Sequence, residues 1–494
     1  MGAPGLLAVW LTPAVWLTLP ALILAGGPDG LWVGLAAVVA PLVAVLARVR
    51  QARSGDGGPV PLFHVAVLFL VVAGLIWANL VVVGDLVGRL GAPRWHGIAI
   101  AAAGGLLLTA WRGAERVAVP LLVVTLGGTV VPLLLVALAS GIGPVGAWGA
   151  VASRTGFHFA RQSHWVTEGR DLRLAHGHTG IVFDEEHRIT ASGEGTLRLY
   201  SKDGGSGAER EWKLSPGQSI LARPGDRLEP APGMRVRFEA GKRVPGAPPS
   251  GIAWAAGRRV QARDALGLAV TLMGGAIALL APALPPRPSR LAVGLLGSGL
   301  VVVLFWAQGW AIYAALGAPE VFLGGVTAEG LLDVPRLVLG ESAGALRLQG
   351  LLLVGAFASF LASTIALRGR VARVDAPGGG EIGRDLGLWA MAFCGAGVAS
   401  LWPVDPWALV LLVLGAAASA LAPAVLLPRH GTQPRAATLA GCVGLTVFAL
   451  LAAAGSVRGR VLDGLLAVAA GSPAVAALPA ALAVLWLAGR RAPE

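Results

Sequence analysis

Residues 195–238 read GTLRLYSKDGGSGAEREWKLSPGQSILARPGDRLEPAPGMRVRF. Within them Thr196-Leu197-Arg198-Leu199-Tyr200-Ser201 and Met234-Arg235-Val236-Arg237-Phe238, continued by Glu239, alternate apolar and polar side chains. That period of two is what a strand with one buried face requires. Between the two runs Pro216-Gly217, Pro224-Gly225 and Pro232-Gly233 recur every eight residues, a spacing that suits short strands joined by tight turns. Asp203-Gly204-Gly205 adds a hairpin signal. The surrounding polar block, residues 142–264, therefore predicts an all-β domain, a small sandwich or barrel. Residues 242–250, with Pro245, Pro248 and Pro249, read as an extended strap leaving it.

Outward from this block the chain changes solvent. Over 494 residues the mean hydropathy is +0.72, with 55% hydrophobic and 13% charged positions. A soluble domain carries about 25% charged residues, so an ordinary soluble enzyme is excluded. Apolar runs long enough to cross a bilayer lie near 5–26, 30–48, 61–84, 96–112, 117–140, 265–283, 291–315, 349–367, 386–402, 406–427, 436–456 and 464–488. The expected fold is a polytopic α-helical membrane protein of about 12 spans, read as two inverted five-helix repeats plus two, with an inserted extracytoplasmic all-β domain. Its units are a first bundle at 1–141, the β domain at 142–264 and a second bundle at 265–494. Residues 321–348 are too polar to span yet keep helical apolar spacing, and read as an amphipathic segment on the outer surface or capping the bundle.

The net charge of +12 would suit a nucleic-acid partner, but most arginines sit in short connections between apolar runs, where they set topology. With the N-terminus inside, the cytoplasmic connections hold fifteen arginines, including Arg48, Arg112, Arg287, Arg368 and Arg429, against six in the opposite short loops. Both termini are thus expected in the cytoplasm, the β domain outside, and the protein in the cytoplasmic (inner) membrane with the lipid bilayer as its main partner. The run from Leu6 to Ala25 is long for a signal-peptide core and reads as a retained span. Cys394 and Cys442 lie in apolar runs and offer the β domain no disulfide.

Candidate chemistry is sparse, and no motif asks for a bound cofactor. The β block holds His158, His164, His176, His178 and His187. On a strand His176 and His178 would share a face, which makes them the candidate metal pair, weighed against a solvated pair beside a turn. Within the spans Asp85 and His64 are the ionisable candidates, both near span ends. Helix-weakening residues stand out more. Run one contains Thr12, Pro13, Thr18 and Pro20; run six contains Thr271 and Met273-Gly274-Gly275. Such breaks at membrane depth mark solute sites in transporters, although paired glycine also serves close packing. The candidate substrate-binding set is Thr12, Pro13, Thr271, Gly274, Gly275 and Asp85.

Gly84-Asp85-Leu86-Val87-Gly88-Arg89-Leu90-Gly91-Ala92-Pro93-Arg94-Trp95, followed by Trp111-Arg112-Gly113 and Glu115-Arg116, resembles the third to fifth helices of amino acid, polyamine and organocation transporters and related metal-ion carriers. The resemblance implies secondary transport through broken first and sixth spans. Where the metal-ion carriers have Asp-Pro-Gly and Met-Pro-His, this chain has Thr12-Pro13-Ala14 and Met273-Gly274-Gly275. Two function classes follow: a secondary transporter of a small solute, or a non-catalytic subunit or assembly factor of an envelope complex whose β domain, within residues 152–260, binds a partner protein. A membrane enzyme acting on haem or lipid-linked sugars is a third and weaker reading.

Overall fold

The structure is a computed structural model that describes residues 8–17, 31–53, 61–89, 92–111, 114–139, 141, 167, 169, 171–173, 181–201, 208–230, 234–245, 262–283, 290–316, 332, 334–340, 342–372, 381–401, 406–427, 433–456 and 472–490. The first half contributes a single-turn helix α1 (Pro13–Trp16) and α2 (Leu31–Arg53), α3 (Leu62–Arg89), α4 (Arg94–Ala110) and α5 (Ala118–Ala139). After the β domain come α6 (Ala262–Leu280), α7 (Arg290–Leu316), α8 (Val334–Leu339), α9 (Ala343–Ala372), α10 (Glu381–Leu401), α11 (Pro406–Ala420), α12 (Ala422–Leu426), α13 (Pro434–Ser456) and α14 (Ala474–Arg490).

Among the described residues five stretches are long and apolar enough to cross a membrane: Gly34–Gln51, Leu62–Gly88, Ala118–Ala139, Ala343–Gly369 and Pro434–Ala454. Five further apolar helices are shorter, Leu266–Leu280, Gly294–Gly309, Gly387–Gly397, Ala408–Ala420 and Ala474–Ala488. The expectation of twelve full spans is therefore not met. Apolar composition alone overcounts, because it does not register where a run stops being helix. Among the described residues of run one, α1 has four residues, and α11 gives way at Leu421 to the separate α12. Large apolar side chains nonetheless face outward along the bundle, Leu107 being 74% exposed and Leu450 66%, as lipid contact demands. The chain is a membrane protein carrying a β domain.

α3 is the axis of the bundle, packed by α1, α4, α9, α10 and α11, with Leu75, Ile76, Leu80 and Leu86 fully buried. The closest helix pair is α5 with α9, where a Cβ on Gly128 would lie 2.7 Å from the Gly355 Cα. Lipid offers no hydrophobic drive between helices, so this backbone approach supplies dispersion contacts that larger residues would prevent. Of the segment 321–348, α8 packs on α5, α7 and α9 with Leu332 and Val334 buried. It caps the bundle.

The β domain has eight short strands: β1 (Asp171–Arg173), β2 (Ile181–Val182), β3 (His187–Ala191), β4 (Gly195–Ser201), β5 (Ala208–Leu214), β6 (Ser219–Ala222), β7 (Arg227–Pro230) and β8 (Arg235–Phe238). They form two antiparallel sheets in the orders β1-β8-β3-β6 and β2-β7-β4-β5. The pairs β4–β5, β3–β6, β2–β7 and β1–β8 nest inside one another, as if one long hairpin had been folded over into two sheets. That is the jelly-roll arrangement. Phe183, Ile189, Leu197, Leu228, Val236 and Phe238 fill the space between the sheets.

The recurring Pro-Gly pairs explain the folding over. Gln218 N–H donates to the Ser215 carbonyl and Asp226 N–H to the Arg223 carbonyl, each at 3.0 Å, with Gly217 at φ +87° and Gly225 at φ +89°. Proline at the second position and glycine in the left-handed region at the third define type II turns. Each turn then bonds the same kind of partner. Gly217 N–H donates to Ala191 O and Ala191 N–H to Gln218 O, while Gly225 N–H donates to Phe183 O and Phe183 N–H to Asp226 O. The eight-residue repeat in sequence is thus an eight-residue repeat in pairing. Pro232-Gly233 and Asp203-Gly204-Gly205 lie outside the described residues, as does most of the strap after Pro245.

No atom lies within 4 Å of where a Cβ on Gly217 would sit, so only its positive φ resists substitution. We expect Gly217→Ala to lower the stability of the segment 152–260 by about 1–2 kcal/mol. Urea denaturation checks this: the midpoint should fall with an unchanged slope.

Candidate functional site

Proline at membrane depth orphans a carbonyl, because the residue four positions earlier loses its N–H partner. In hydrocarbon no water replaces it, and each unpaired group costs several kcal/mol. Pro41 meets that condition inside α2, so Ala37 has no helical donor. The Trp16 carbonyl, in the single turn of α1 at a helix end, also needs a donor from elsewhere.

Side chains from other elements fill the gap. Trp10 Nε1 donates to Ala37 O at 2.9 Å, and Ser298 Oγ of α7 donates to the neighbouring Val38 O at 2.7 Å. Gln308 of α7 donates through Nε2 to Trp16 O. Thr12 is extended (φ −73°, ψ 147°) and its carbonyl takes both Val15 N–H and Trp16 N–H, which leaves Leu11 O to be met by Ser359 Oγ of α9. The same Ser359 hydroxyl accepts from Trp16 Nε1 at 3.0 Å. One broken segment is thereby stitched to α2, α7 and α9.

The stitching leaves a narrow cleft lined by Trp10, Leu11, Val15, Trp16, Ala37, Val301, Leu304, Phe305 and Gln308, with a cavity volume of about 10 Å³, near what one water needs. Among the described residues its walls carry no charge. Gln308 is 1% exposed, and its Oε1 has no hydrogen-bond partner. The amide orientation is not arbitrary, since only the NH₂ end can serve the Trp16 carbonyl. Thr12 Oγ1 is likewise buried without a partner.

The other sequence-predicted residues lie elsewhere. α6 runs unbroken through Met273-Gly274-Gly275, so the expected break in run six is not there. A Cβ on Gly274 would lie 2.5 Å from Ala418 Cβ, and one on Gly275 2.9 Å from Leu414. The glycine pair admits α11 against α6, and leucine there would fail by collision rather than by filling a cavity. Thr271 is buried on the same helix. Asp85 pairs with Arg94, at 2.5 Å to Nε and 3.2 Å to the second guanidinium nitrogen. An acid in the last turn of α3 and a base in the first turn of α4 each oppose the helix dipole, and the ion pair offsets both while fixing the turn. His176 and His178 lie outside the described residues, and among the described residues no group of three or more His, Cys, Asp or Glu could hold a metal ion. Of the predicted set, only Thr12 and Pro13 reach the cleft region. Trp10, Pro41, Ser298, Gln308 and Ser359 were not singled out, although a glutamine in a 27-residue apolar helix was a readable signal.

One histidine of the β domain is described in full. His187 is 1% exposed between Phe183 (ring centroids 5.4 Å apart) and Phe238 (6.2 Å). Its Nε2 is 3.8 Å from Glu185. Burial pushes its pKa down, and Glu185 opposes the shift only in part. Compared with family models and with curated proteins, the chain matches none.

Two outcomes follow. In detergent or bilayer, Trp10→Phe should cost about 1–3 kcal/mol by leaving Ala37 O bare. In a Pro41→Ala background, where residue 41 regains its N–H, most of that cost should vanish; a double-mutant cycle of thermal midpoints reads the coupling. For His187 the folded state prefers the neutral imidazole while the unfolded chain takes a proton near pH 6.5. Stability of the segment 152–260 should accordingly fall as pH drops below about 6.5, and His187→Phe should flatten the dependence between pH 7.5 and 5, as followed by urea midpoints.

Proposed function

We propose that the chain is a secondary transporter of a small solute, with its solute site at the break in the first span. The observation that carries the reading is the discontinuous segment at Leu11–Trp16, held by polar side chains from α7 and α9 beside a cleft with an unfilled acceptor. Irregular backbone at membrane depth is tolerated where protein or a cavity satisfies it, and transporters place their sites there. The break in run six is no longer part of this reading.

A second support is the pattern of helix neighbours. Let the segment of α1 with α2–α5 form one repeat, and α6, α7, α9, α10 and α11 the other. Then α5 against α9 has its counterpart in α11 against α3, and α3 against α10 in α9 against α4. The pairs α2–α7 and α3–α9 map onto themselves. The correspondence is partial, since α3 packs on α4 and α5 on α7 without matching close contacts between α9 and α10 or between α2 and α11, and α13 and α14 stand outside the repeats. In this reading the shorter helices complete the crossings, the termini are cytoplasmic, the membrane is the cell's inner membrane, and the jelly roll faces outward. The likeness at residues 84–116 to amino acid, polyamine and organocation transporters agrees with it.

A partner-binding role for the β domain has its own observation. Among the described residues β5 ends its sheet, and Trp212, opposite the buried Leu197, is 41% exposed there. An exposed aromatic side chain on a strand with no second described partner suits β-strand addition by an extracytoplasmic protein.

Cysteine accessibility tests the transport reading without knowing the solute. With Cys394 and Cys442 replaced by Ser, single cysteines at Val301 or Leu304 on the cleft wall should react with a charged, membrane-impermeant thiol reagent from each face in turn, as alternating access requires. Modification from one face alone, or from neither, contradicts transport through this cleft.

A further inference from the structure

Both chain ends of the β domain meet in one cluster of bonds. Thr167, on the α5 side, donates its N–H to Lys242 O at 2.7 Å and accepts from Gly241 N–H at 2.8 Å, while its hydroxyl donates to the Glu239 carbonyl. The segment 239–245, on the α6 side, is held again from the loop before β3. There Arg243 N–H donates to Glu185 Oε1, the Arg243 guanidinium lies 3.4 Å from Asp184, and Val244 is fully buried. The same Glu185 oxygen is 3.8 Å from His187 Nε2. His187 is buried with no hydrogen-bond partner on either ring nitrogen. A neutral imidazole between Phe183 and Phe238 tolerates that, but an imidazolium has two N–H donors and a charge to satisfy. The charged groups about the ring are Glu185, Glu239, Lys242 and Arg243, with Arg223 following Ala222 on the paired strand β6. Of the two acids, Glu185 is the one already within 4 Å. A charge-assisted hydrogen bond needs about 2.8 Å, so a shift of about 1 Å brings its carboxylate onto the ring and takes it from Arg243 N–H.

We propose that His187 is an acid sensor built into this junction: when the imidazole takes a proton from solvent, Glu185 turns to pair with it, Arg243 N–H loses its acceptor, and the segment 239–245 loosens from the domain. The device is a competition of two donors for one carboxylate oxygen, and it stands whether or not the bundle transports anything. At neutral pH the backbone donor wins and the junction is closed. Burial holds the imidazole neutral there and Glu185 opposes this only in part, so release belongs below pH 6.5. Because 239–245 and Thr167 are the links of the β domain toward α6 and α5, acid slackens the tie between those links while the paired strands β4 and β5, which share none of these bonds, stay in place.

The test is amide hydrogen exchange of the full-length protein in lipid nanodiscs, read by mass spectrometry at pH 7.5 and 5.5 with labelling times scaled to the intrinsic amide rate. Protection across 239–245 should fall by up to about tenfold at pH 5.5, the most that one proton taken up near pH 6.5 in the released state contributes over that interval. It should also stay below the protection of 195–201 at both pH values, because the segment opens without the domain. Glu185→Gln keeps an acceptor for Arg243 N–H and removes the anion, so 239–245 should remain protected at pH 5.5. His187→Phe, which keeps the aromatic packing and cannot titrate, should do the same. Should His187→Phe fail to fold, the wild type and Glu185→Gln decide alone. Protection of 239–245 that does not fall with pH, a fall shared equally with 195–201 from the same starting level, or a fall of the same size in Glu185→Gln overturns the proposal.

Discussion

A peptide carbonyl in hydrocarbon must find a donor, and that requirement shapes the membrane part of this protein more than any side-chain preference. Proline at position 41 removes one donor, and the end of α1 leaves the Trp16 carbonyl without another. The bundle responds by spending indole, hydroxyl and amide groups on backbone atoms: Trp10 on Ala37, Ser298 on Val38, Ser359 on Leu11, Gln308 on Trp16. These bonds run between elements, so they also fix how α1, α2, α7 and α9 sit together. Gln308 and Thr12 each keep a buried polar atom unpaired there. Such an atom is expensive unless something else comes to meet it.

The jelly roll solves the opposite problem. In water its backbone could be satisfied anywhere, and what must be specified is the path. Two type II turns, each with proline then glycine, reverse the chain at matching points, so that Ala191 and Phe183 receive equivalent pairs of bonds from turns eight residues apart. Strands of two to seven residues suffice because each is held on at least one side by its nested partner. The aromatic box around His187 then closes the core, at the cost of a titratable group that resists protonation.

The β domain was the more legible half. Alternation at 196–201 and 234–239 corresponds to β4 and β8, and the Pro-Gly pairs at 216 and 224 to the turns, because strand period and turn chemistry are local properties. The membrane half was legible only as greasiness. Hydropathy does not distinguish a crossing helix from an apolar run that bends, so among the described residues twelve runs became five long helices and five shorter ones. Gly274 and Gly275 looked like a break because sequence cannot say whether a glycine pair frees the backbone or receives a neighbour; Ala418 and Leu414 are the neighbours. Asp85 looked like a coupling acid until Arg94, nine residues on, was found against it. The stitching residues escaped notice since their partners lie from 27 to 348 positions away.

The proposed transport and the irregular first segment are linked through a few side chains whose polar atoms serve the backbone before they serve anything else. The distance between Trp10 Nε1 and the Ala37 carbonyl carbon, measured by rotational-echo solid-state NMR on ¹⁵N-indole and ¹³C-carbonyl labelled protein in lipid bilayers, tests that link at its root. Direct contact is expected, with a coupling that matches an N···O separation of 2.9 Å. A coupling too weak for hydrogen-bond distance would mean that the proline-freed carbonyl is satisfied by some other group, and the account of the cleft would fail with it.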